Sequence, residues 1–267
     1  MTAAAHASRA EDAPPQVAWI TGGGSGIGLA AAQALAAAGA HVVISGRRPE
    51  QLAAAIPEIA VGTRGSVSAI TLDVTDLDAV RQVARSIEEQ HGRVDVLVNS
   101  AGINVPRRAW AEIAPDDFVR VVQTNLNGAM AACRAVLPGM RSRARGLIIN
   151  VASWAGRYDS TFTGPAYNAS KHGLVALSAT INIDEGRHGI RSCALCPGEV
   201  ATPILSSRPV PPSAAEMARM LQPEDLGRVI RFLVELPPHV CVNELVISPT
   251  WNRAYLGLAE QAGPEPG

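Results

Sequence analysis

Apolar runs of strand length alternate with helix-like segments along most of this chain, at a spacing of roughly 25 residues. This alternation predicts βαβ units, and right-handed crossovers then give a doubly wound parallel sheet with helices on both faces, in the α/β class. The chain has 267 residues, which is enough for one sizeable core. No internal repeat or interdomain linker is visible, so we expect a single domain over 16–256, with a disordered arm at 1–15 and a loose tail at 257–267.

The expected elements can be placed from apolar runs and breakers. Pro57 is expected to end or kink the second helix, and Thr75 or Asp76 to cap the third. The irregular stretch 201–222 follows the end of a strand, so we predict a substrate lid there, with a plain surface connection as the alternative. Strands are predicted at 17–21, 41–45, 66–74, 93–102, 146–153, 190–198 and 243–248, and helices at 26–39, 49–59, 75–92, 115–137, 165–187 and 223–236.

Charge and composition argue against several classes of protein. The net charge of -1 gives no field that would attract nucleic acid or an anionic membrane. No apolar run reaches the roughly 18 residues that a membrane span needs. Four cysteines suggest no disulfide framework and fit a reducing cytoplasm. Cys193 and Cys196 form a C-x-x-C pair, but in a buried strand they face opposite sides and no second pair completes a metal site, so we expect core packing.

A glycine cluster, TGGGSGIG, stands between the first strand and the first helix. Glycines allow the backbone to approach a pyrophosphate, and the helix N-terminus supplies free N–H groups and positive potential. In an alternating chain this position indicates a Rossmann-type dinucleotide site, while a tight turn without a ligand is the alternative. The residues expected at the phosphates are Gly22, Ser25, Gly26, Ile27 and Gly28.

The ends of the second and third strands bear on which dinucleotide binds. An acidic residue after the second strand would favour NAD, whereas an arginine accommodates the 2′-phosphate of NADP. Gly46 stands at the acid's position and Arg47 and Arg48 follow, which favours NADP through Arg47 and leaves NAD as the alternative. The alternative is that both arginines are solvated on the surface and bind no phosphate. Asp73, with Val74 after it, is expected beside the adenine.

The only lysine of the chain, Lys171, lies four residues after Tyr167. Positions i and i+4 share a helix face. A cation beside a phenol favours the phenolate, so we expect the lysine to lower the pKa of the tyrosine and to make it a general acid or base. A solvated surface lysine is the alternative on this segment alone.

Five motifs, in order over about 16–250, resemble those of the short-chain dehydrogenase/reductase family. They are TGGGSGIG, NSAG at 99–102, NVAS at 150–153, YNASK at 167–171 and CPGEVATP at 196–203. The resemblance implies catalytic roles for four side chains. Tyr167 would transfer the proton, Lys171 would hold the nicotinamide ribose, Ser153 would orient the substrate oxygen, and Asn125 would hold a water in the proton relay.

The resemblance also implies further cofactor contacts and an oligomer. The contacts are Asn99, Ala101, Gly102, Tyr167, Lys171, Pro197, Gly198, Val200 and Thr202. A homodimer or homotetramer is expected. The usual D-G-G near the C-terminus is replaced by NELVISPTWNR, which is similar to a branch containing serine-type 3-hydroxy acid dehydrogenases.

We therefore expect an NAD(P)-dependent oxidoreductase that interconverts a secondary alcohol and a ketone. A 3-oxoacyl thioester reductase, a 3-hydroxy acid dehydrogenase and a non-catalytic cofactor sensor are the alternatives. A basic patch at Arg141, Arg143 and Arg145 could dock an acidic carrier. An apolar substrate pocket is expected from Trp154, Tyr158, Phe162, Leu205, Met217 and Met220. Arg157 and Arg208 could bind a carboxylate, although arginines in loops are more often solvated.

Overall fold

The computed structural model of the protein describes residues 16–159, 162–253 and 255. Its strands are β1 Val17–Thr21, β2 His41–Gly46, β3 Val67–Thr71, β4 Val96–Asn99, β5 Gly146–Val151, β6 Ile190–Pro197 and β7 Glu244–Ile247. They form one parallel sheet in the order β3-β2-β1-β4-β5-β6-β7. The order runs outward in both directions from β1, so the predicted doubly wound α/β sheet is confirmed.

The helices cover both faces of this sheet. They are α1 Gly26–Ala37, α2 Pro49–Ala60, α3 Leu77–His91, α4 Pro115–Val122, α5 Gly128–Ser142, α6 Gly164–Glu185, the short α7 Ala214–Met217 and α8 Pro223–Glu235. Helices α1, α2 and α8 pack on one face, and α3, α5 and α6 pack on the other. The sheet is therefore buried on both sides, as parallel sheets usually are.

The central strand β1 shows why the strand runs are almost continuously apolar. Ala18 and Ile20 point into one core, whereas Val17 and Trp19 point into the other. All four side chains are buried. The indole Nε1 of Trp19 donates a hydrogen bond of 3.0 Å to Ser45 Oγ, so its one polar atom is satisfied inside the core.

Two helix predictions were wrong in detail. Pro57 was expected to end or kink α2, and an end there is wrong, because α2 continues to Ala60. Pro57 and Ala53, whose carbonyl loses its partner, are both exposed, so water can satisfy that carbonyl. The predicted helix 115–137 is divided by a π-helical turn at Gln123–Asn127, and its second part extends to Ser142.

Local signals near the ends of elements gave better predictions. Asp76 caps α3, because its carboxylate accepts hydrogen bonds from the N–H groups of Asp78 and Ala79. The segment 201–222 was expected to be irregular but contains a 3₁₀ helix, Pro203–Ser207, and the short α7; its role as a substrate lid stays a prediction. The predicted arm at 1–15 and the tail at 257–267 lie outside the described residues.

The C-x-x-C pair is packed in the core as predicted. Cys193 and Cys196 belong to separate apolar clusters and both are buried. Burial raises the pKa of the Cys193 thiol to about 12 and that of Cys196 to about 11, so neither is a reactive thiolate at neutral pH. In the described part of the chain no group of His, Cys, Asp or Glu could hold a metal ion, and no helix is long and apolar enough to cross a membrane.

Candidate active site

A cavity of about 340 Å³ opens at the carboxyl edge of the sheet. Its walls include residues at or directly after the ends of β1, β2, β4, β5 and β6, namely Gly22, Gly46, Ser100, Val151 and Pro197. This edge, where the strand order reverses beside β1, is the expected ligand crevice of a doubly wound sheet.

The glycine turn after β1 forms one end of the cavity. Gly22 and Gly26 have φ angles of +69° and +53°, which side-chain-bearing residues rarely adopt. A Cβ on Gly22 would lie 2.8 Å from the backbone nitrogen of Ala101, so the turn also packs tightly against the loop after β4. Ser25, at the N-cap of α1, makes no side-chain capping bond. The turn therefore leaves the α1 N-terminus open toward the cavity, which suits a phosphate group.

The same end of the cavity carries positive charge. Arg47 and Arg48 follow β2, line the cavity and are exposed. Neither forms an ion pair within the described ranges, so both remain available to an anion. Asp73 lines the wall, and its Oδ1 accepts hydrogen bonds from the backbone and hydroxyl of Thr75. These groups fit the adenosine half of a dinucleotide with a 2′-phosphate.

Most of the residues selected from the sequence line this cavity. They are Gly22, Ser25, Gly26, Ile27, Arg47, Asp73, Val74, Ala101, Gly102, Ser153, Tyr167, Lys171, Pro197, Gly198, Val200 and Thr202. Three of the predicted catalytic and cofactor-binding residues, Gly28, Asn99 and Asn125, do not line it. A Cβ on Gly28 would overlap the carbonyl oxygen of Gly22, so this glycine allows α1 to pack against the turn. Asn99 is buried and its Nδ2 donates to Asn150 Oδ1 at 2.8 Å, which links β4 to β5.

The side chain of Asn125 lies behind the cavity wall. It is completely buried in the π-helical turn, where its Oδ1 accepts from Ile103 N–H at 2.8 Å and its Nδ2 donates to Ile103 O at 3.0 Å. Nδ2 also donates to Ser170 Oγ at 3.1 Å. Asn125 thus connects the loop after β4 to α6, directly beside Lys171. This arrangement makes it a positioning residue for the loop and for α6.

Tyr167 and Ser153 meet in the cavity, and the phenol is in an apolar setting. Burial raises the pKa of Tyr167 above its usual range, while a hydrogen bond with Ser153 and the charges of Arg208 and Arg108 oppose this shift. The expectation that Lys171 would lower the pKa of the phenol is wrong here. The lysine Nζ lies 5.5 Å from the centre of the ring and donates to Val151 O at 2.8 Å, and desolvation outweighs the nearby charges. The phenol is consequently protonated at neutral pH.

The pKa of Lys171 is also shifted from its usual value. Its side chain is buried, only 4% exposed, and burial lowers its pKa to about 8. Its ammonium group has three donors, and the bond to Val151 O uses one of them. The other two N–H donors are available to groups in the cavity. Because the pKa of the amine is about 8, it can also exchange a proton near neutral pH.

The other end of the cavity, beyond Tyr167, has mixed walls. Trp154, Phe162 and Leu205 line it, as predicted, together with Asn104, Arg108, Glu199, Ile204, Ser207, Arg208, Asn252 and Arg253, none of which except Arg208 was identified from the sequence. Tyr158 instead packs outside the cavity against Trp154, with ring centres 4.4 Å apart and the ring planes tilted by 33°. Met217 and Met220 do not reach the cavity.

Both candidate carboxylate ligands from the sequence are already paired. Arg157 Nε lies 2.7 Å from Glu244 Oε1, and Arg208 Nη1 lies 2.7 Å from Glu199 Oε1. Glu199 also receives two hydrogen bonds from Arg253, at 2.7 and 2.6 Å. The interpretation of Arg157 and Arg208 as free anion ligands is therefore not supported, because each has an internal carboxylate partner.

Comparison with known proteins adds to this geometry. The putative ketoacyl reductase 1 of the granaticin polyketide synthase from Streptomyces violaceoruber is 40% identical over 205 residues, which cover 76% of this chain and 74% of that protein. An alcohol dehydrogenase from Thermococcus sibiricus, solved with 5-hydroxy-NADP, is 28% identical with a TM-score of 0.80 and covers 90% of this chain and 99% of its own. A serine dehydrogenase, solved in a closed form with NADP⁺, is also 28% identical with a TM-score of 0.80, covering 88% and 95%.

The family model described as short chain dehydrogenase matches residues 16–210, which include the glycine turn, Ser153, Tyr167 and Lys171. The parallel sheet and the position of the cavity agree with that match. This chain belongs to the short chain dehydrogenase family of oxidoreductases.

Proposed function

We propose that this protein is an NADP-dependent oxidoreductase that interconverts a secondary alcohol and a ketone. One observation carries the proposal. One cavity has a glycine turn at one end, with Arg47 and Arg48, which form no ion pair with any described residue, and has Ser153, Tyr167 and Lys171 farther along. The first set suits a dinucleotide phosphate, and the second suits proton transfer to or from a substrate oxygen.

The protonated phenol supports work in the direction of reduction. Hydride from a bound nicotinamide would add to the carbonyl carbon of the substrate and leave a negative charge on the carbonyl oxygen. Tyr167 holds a proton at neutral pH, since burial raises the pKa of its phenol, and it would give that proton to this oxygen. Ser153, which hydrogen-bonds the phenol, would donate to the same oxygen and orient it.

Lys171 would then return a proton to the phenolate. Because its pKa is about 8, the amine can give up a proton near neutral pH and take up another from solvent. The bond to Val151 O fixes the ammonium, and Asn125 holds the adjoining loop and α6 in register. In this proposal Ser153, Tyr167 and Lys171 act on the substrate or the cofactor, while Asn125 positions them.

The cofactor preference is proposed from Arg47 and Arg48. Both can reach an anion at the end of β2, where Gly46 leaves no acidic group to bind a 2′-hydroxyl. The Thermococcus sibiricus alcohol dehydrogenase and the serine dehydrogenase were both solved with NADP-type ligands, which supports the same choice.

A thioester reductase is the nearest alternative, because the granaticin relative is called a ketoacyl reductase. The basic patch that could dock an acidic carrier does not favour it. Arg141 pairs with Glu185, and Arg143 lies 3.8 Å from Glu88. The patch also precedes the amino end of β5, whereas the cavity opens at the carboxyl end.

A homodimer or homotetramer remains part of the proposal. Apolar side chains on the outer faces of α4, α5 and α6 support it. Val119, Met130 and Ile183 are 56%, 37% and 77% exposed.

Deuterium transfer tests the proposed reaction. NADPH carrying deuterium at both C4 positions is incubated with the protein and a panel of ketones, and the alcohol is analysed by mass spectrometry and NMR. We expect one deuterium on the carbinol carbon of the product. NADPH binding without turnover of any ketone would instead support the non-catalytic cofactor sensor, and unlabelled alcohol would exclude direct hydride transfer.

A further inference from the structure

Arg108 is a buried cation in the wall of the cavity. It lies in the loop between β4 and α4, and only 7% of the residue is exposed. Four charged residues of the described chain are buried, namely Asp95, Arg108, Lys171 and Glu185. Asp95 and Glu185 have arginine partners, and Lys171 belongs to the proposed proton relay. That leaves Arg108 as the buried charge in the described ranges that neither a partner nor the proposed chemistry explains.

The guanidinium of Arg108 has donors to spare. Its Nη2 donates to the carbonyl oxygen of Ser207 at 2.5 Å, but its buried Nε has no hydrogen-bond partner. A buried cation without a counter-ion is costly, and so is a buried donor without an acceptor. An anion in the cavity would relieve both costs.

The surrounding charges do not supply that anion. Arg208 also faces the cavity, but Glu199 neutralises it and is shared with Arg253. Glu216 is the second carboxylate of this network and pairs with Arg253. Both carboxylates are thus paired with Arg208 or Arg253 and neither pairs with Arg108, so three arginines face two carboxylates and one positive charge is left over. The pKa of Arg108 is lowered by burial first and by Arg208 second, as expected for a cation that lacks a partner.

The fold holds Arg108 beside the reacting end of the cavity. Gly164, the first residue of α6, has φ +75°, and a Cβ there would overlap the carbonyl oxygen of Arg108. Tyr167 follows three residues later, about one helical turn away. The two side chains influence each other electrostatically, since each perturbs the pKa of the other. A small molecule with its oxygen at Tyr167 could therefore reach Arg108 with an anionic group.

We propose, on the basis of the function proposed above, that Arg108 binds the carboxylate of the substrate, so that the protein acts on an oxo acid and the corresponding hydroxy acid. The planar guanidinium matches a carboxylate with parallel N–H donors. Arg108 is in this account a specificity-determining residue. It binds the part of the substrate that does not react.

The test compares free acids with their methyl esters, which lack the negative charge. The substrates are 2-, 3- and 4-oxopentanoate and the three methyl esters, each assayed with NADPH. The wild-type protein should prefer one acid over its ester in kcat/KM. Arg108→Gln should lower kcat/KM for that acid by about 30-fold or more, since it removes one partner of a buried charged pair.

The loss should fall mainly on KM, because the carboxylate is bound equally in the ground state and the transition state. The ester should lose much less kcat/KM than the acid, and the affinity for NADPH should stay within about twofold of wild type. Arg107→Gln removes the same charge one position earlier, from an exposed side chain, and should leave all substrates unaffected. Arg108→Lys keeps the charge and should retain part of the preference for the acid.

Several results would overturn the proposal. Equal kcat/KM for acids and esters in the wild-type protein would reject an anionic substrate, yet would leave the oxidoreductase function standing if neutral ketones are reduced. An equal loss for acid and ester in Arg108→Gln would make Arg108 a purely structural residue. If that variant does not fold, competition in the wild type decides. Pentanoate should inhibit reduction competitively and methyl pentanoate should not, and equal inhibition would reject the proposal. No turnover of any acid, ester or neutral ketone would reject the proposed function itself.

Discussion

The two ends of the cavity differ in what forms their walls. The glycine-turn end is formed mainly by the backbone of the turn at 22–27 after β1, together with Arg47 and Arg48 after β2. The opposite end, which we call the loop end, is built from side chains of the β4–α4 loop, the segment 201–222 and residues 252–253. Its parts come together only in the folded chain. Arg108 and Ser207, for example, are 99 positions apart and joined by a hydrogen bond.

This difference teaches which function each end can carry. Backbone at strand ends keeps one shape whatever side chains stand nearby, which suits a common cofactor. Loop side chains can change one at a time, which suits a particular substrate. If this contrast holds, the glycine-turn end should be rigid and selective for NADP. Lys171, which lies between the two ends, should have a lowered pKa.

The largest expected effect is at Gly28. Gly28→Ala would drive a methyl group into the carbonyl of Gly22, so the turn must move. We expect NADPH affinity to fall by at least about 100-fold and the free energy of unfolding to fall by more than about 2 kcal/mol. Nicotinamide fluorescence and urea unfolding measure the two effects.

The matched control for this substitution is Gly24→Ala. A Cβ at Gly24 meets Gln51 and Leu52 side chains at 3.4 Å, an ordinary contact, and both effects should be small. Wild-type NADPH binding in Gly28→Ala would show that the turn does not form the phosphate site.

A smaller and more selective effect is expected at Arg47. Arg47→Gln should weaken NADPH binding by about 10- to 100-fold, which corresponds to the loss of one charged hydrogen bond, and should leave NADH binding unchanged. The titration follows nicotinamide fluorescence. Arg64→Gln, which removes a charge from another exposed position outside the cavity, is the control. An equal loss for both nucleotides would contradict a 2′-phosphate contact.

Lys171 offers a direct measurement, because it is the only lysine of the chain. With ¹³C-labelled lysine, the side-chain signal should titrate with a pKa of about 8 in the protein without nucleotide. A value near 10.5, the usual lysine pKa, would mean that the amine is solvated.

The shift of the lysine pKa also has a consequence for stability. The folded pKa is lower than the unfolded one, so the unfolded chain binds more protons from about pH 8 up to the unfolded pKa. This group therefore makes the free energy of unfolding rise with pH in that window, by about 1 kcal/mol per unit. Lys171→Met should lack the rise, and urea unfolding of both proteins at pH 8.0 and 9.5 measures the difference.

The sequence was sufficient to predict the sheet and the glycine-turn end because their signals are local. Alternating apolar runs predicted the parallel strands, and TGGGSGIG lies between a strand and a helix. Prediction from the sequence failed where the burial of a group decides the outcome. Pro57 was expected to end or kink a helix, but the helix does not end there, because the carbonyl that loses its partner is exposed and water can satisfy it. The pKa of Tyr167 was expected to fall, but desolvation raises it.

Arg108 shows the same limit at the loop end. Arg107 and Arg108 are identical in type and adjacent, and both follow the carboxyl end of β4, a position that could have directed attention to them. Only packing against Gly164 and Ser207 buries Arg108 and leaves Arg107 exposed. Nothing local distinguishes the two, so the structure was needed to single out Arg108 as the buried arginine.

Ketone reduction by Tyr167→Phe tests the central claim most directly. This substitution removes the hydroxyl alone, and Tyr158→Phe does the same to an exposed ring outside the cavity. With saturating NADPH, we predict that kcat of Tyr167→Phe falls by about 10²- to 10⁴-fold, while NADPH affinity is kept and Tyr158→Phe matches wild type. Unchanged turnover in Tyr167→Phe would contradict the assignment of this phenol as the proton donor.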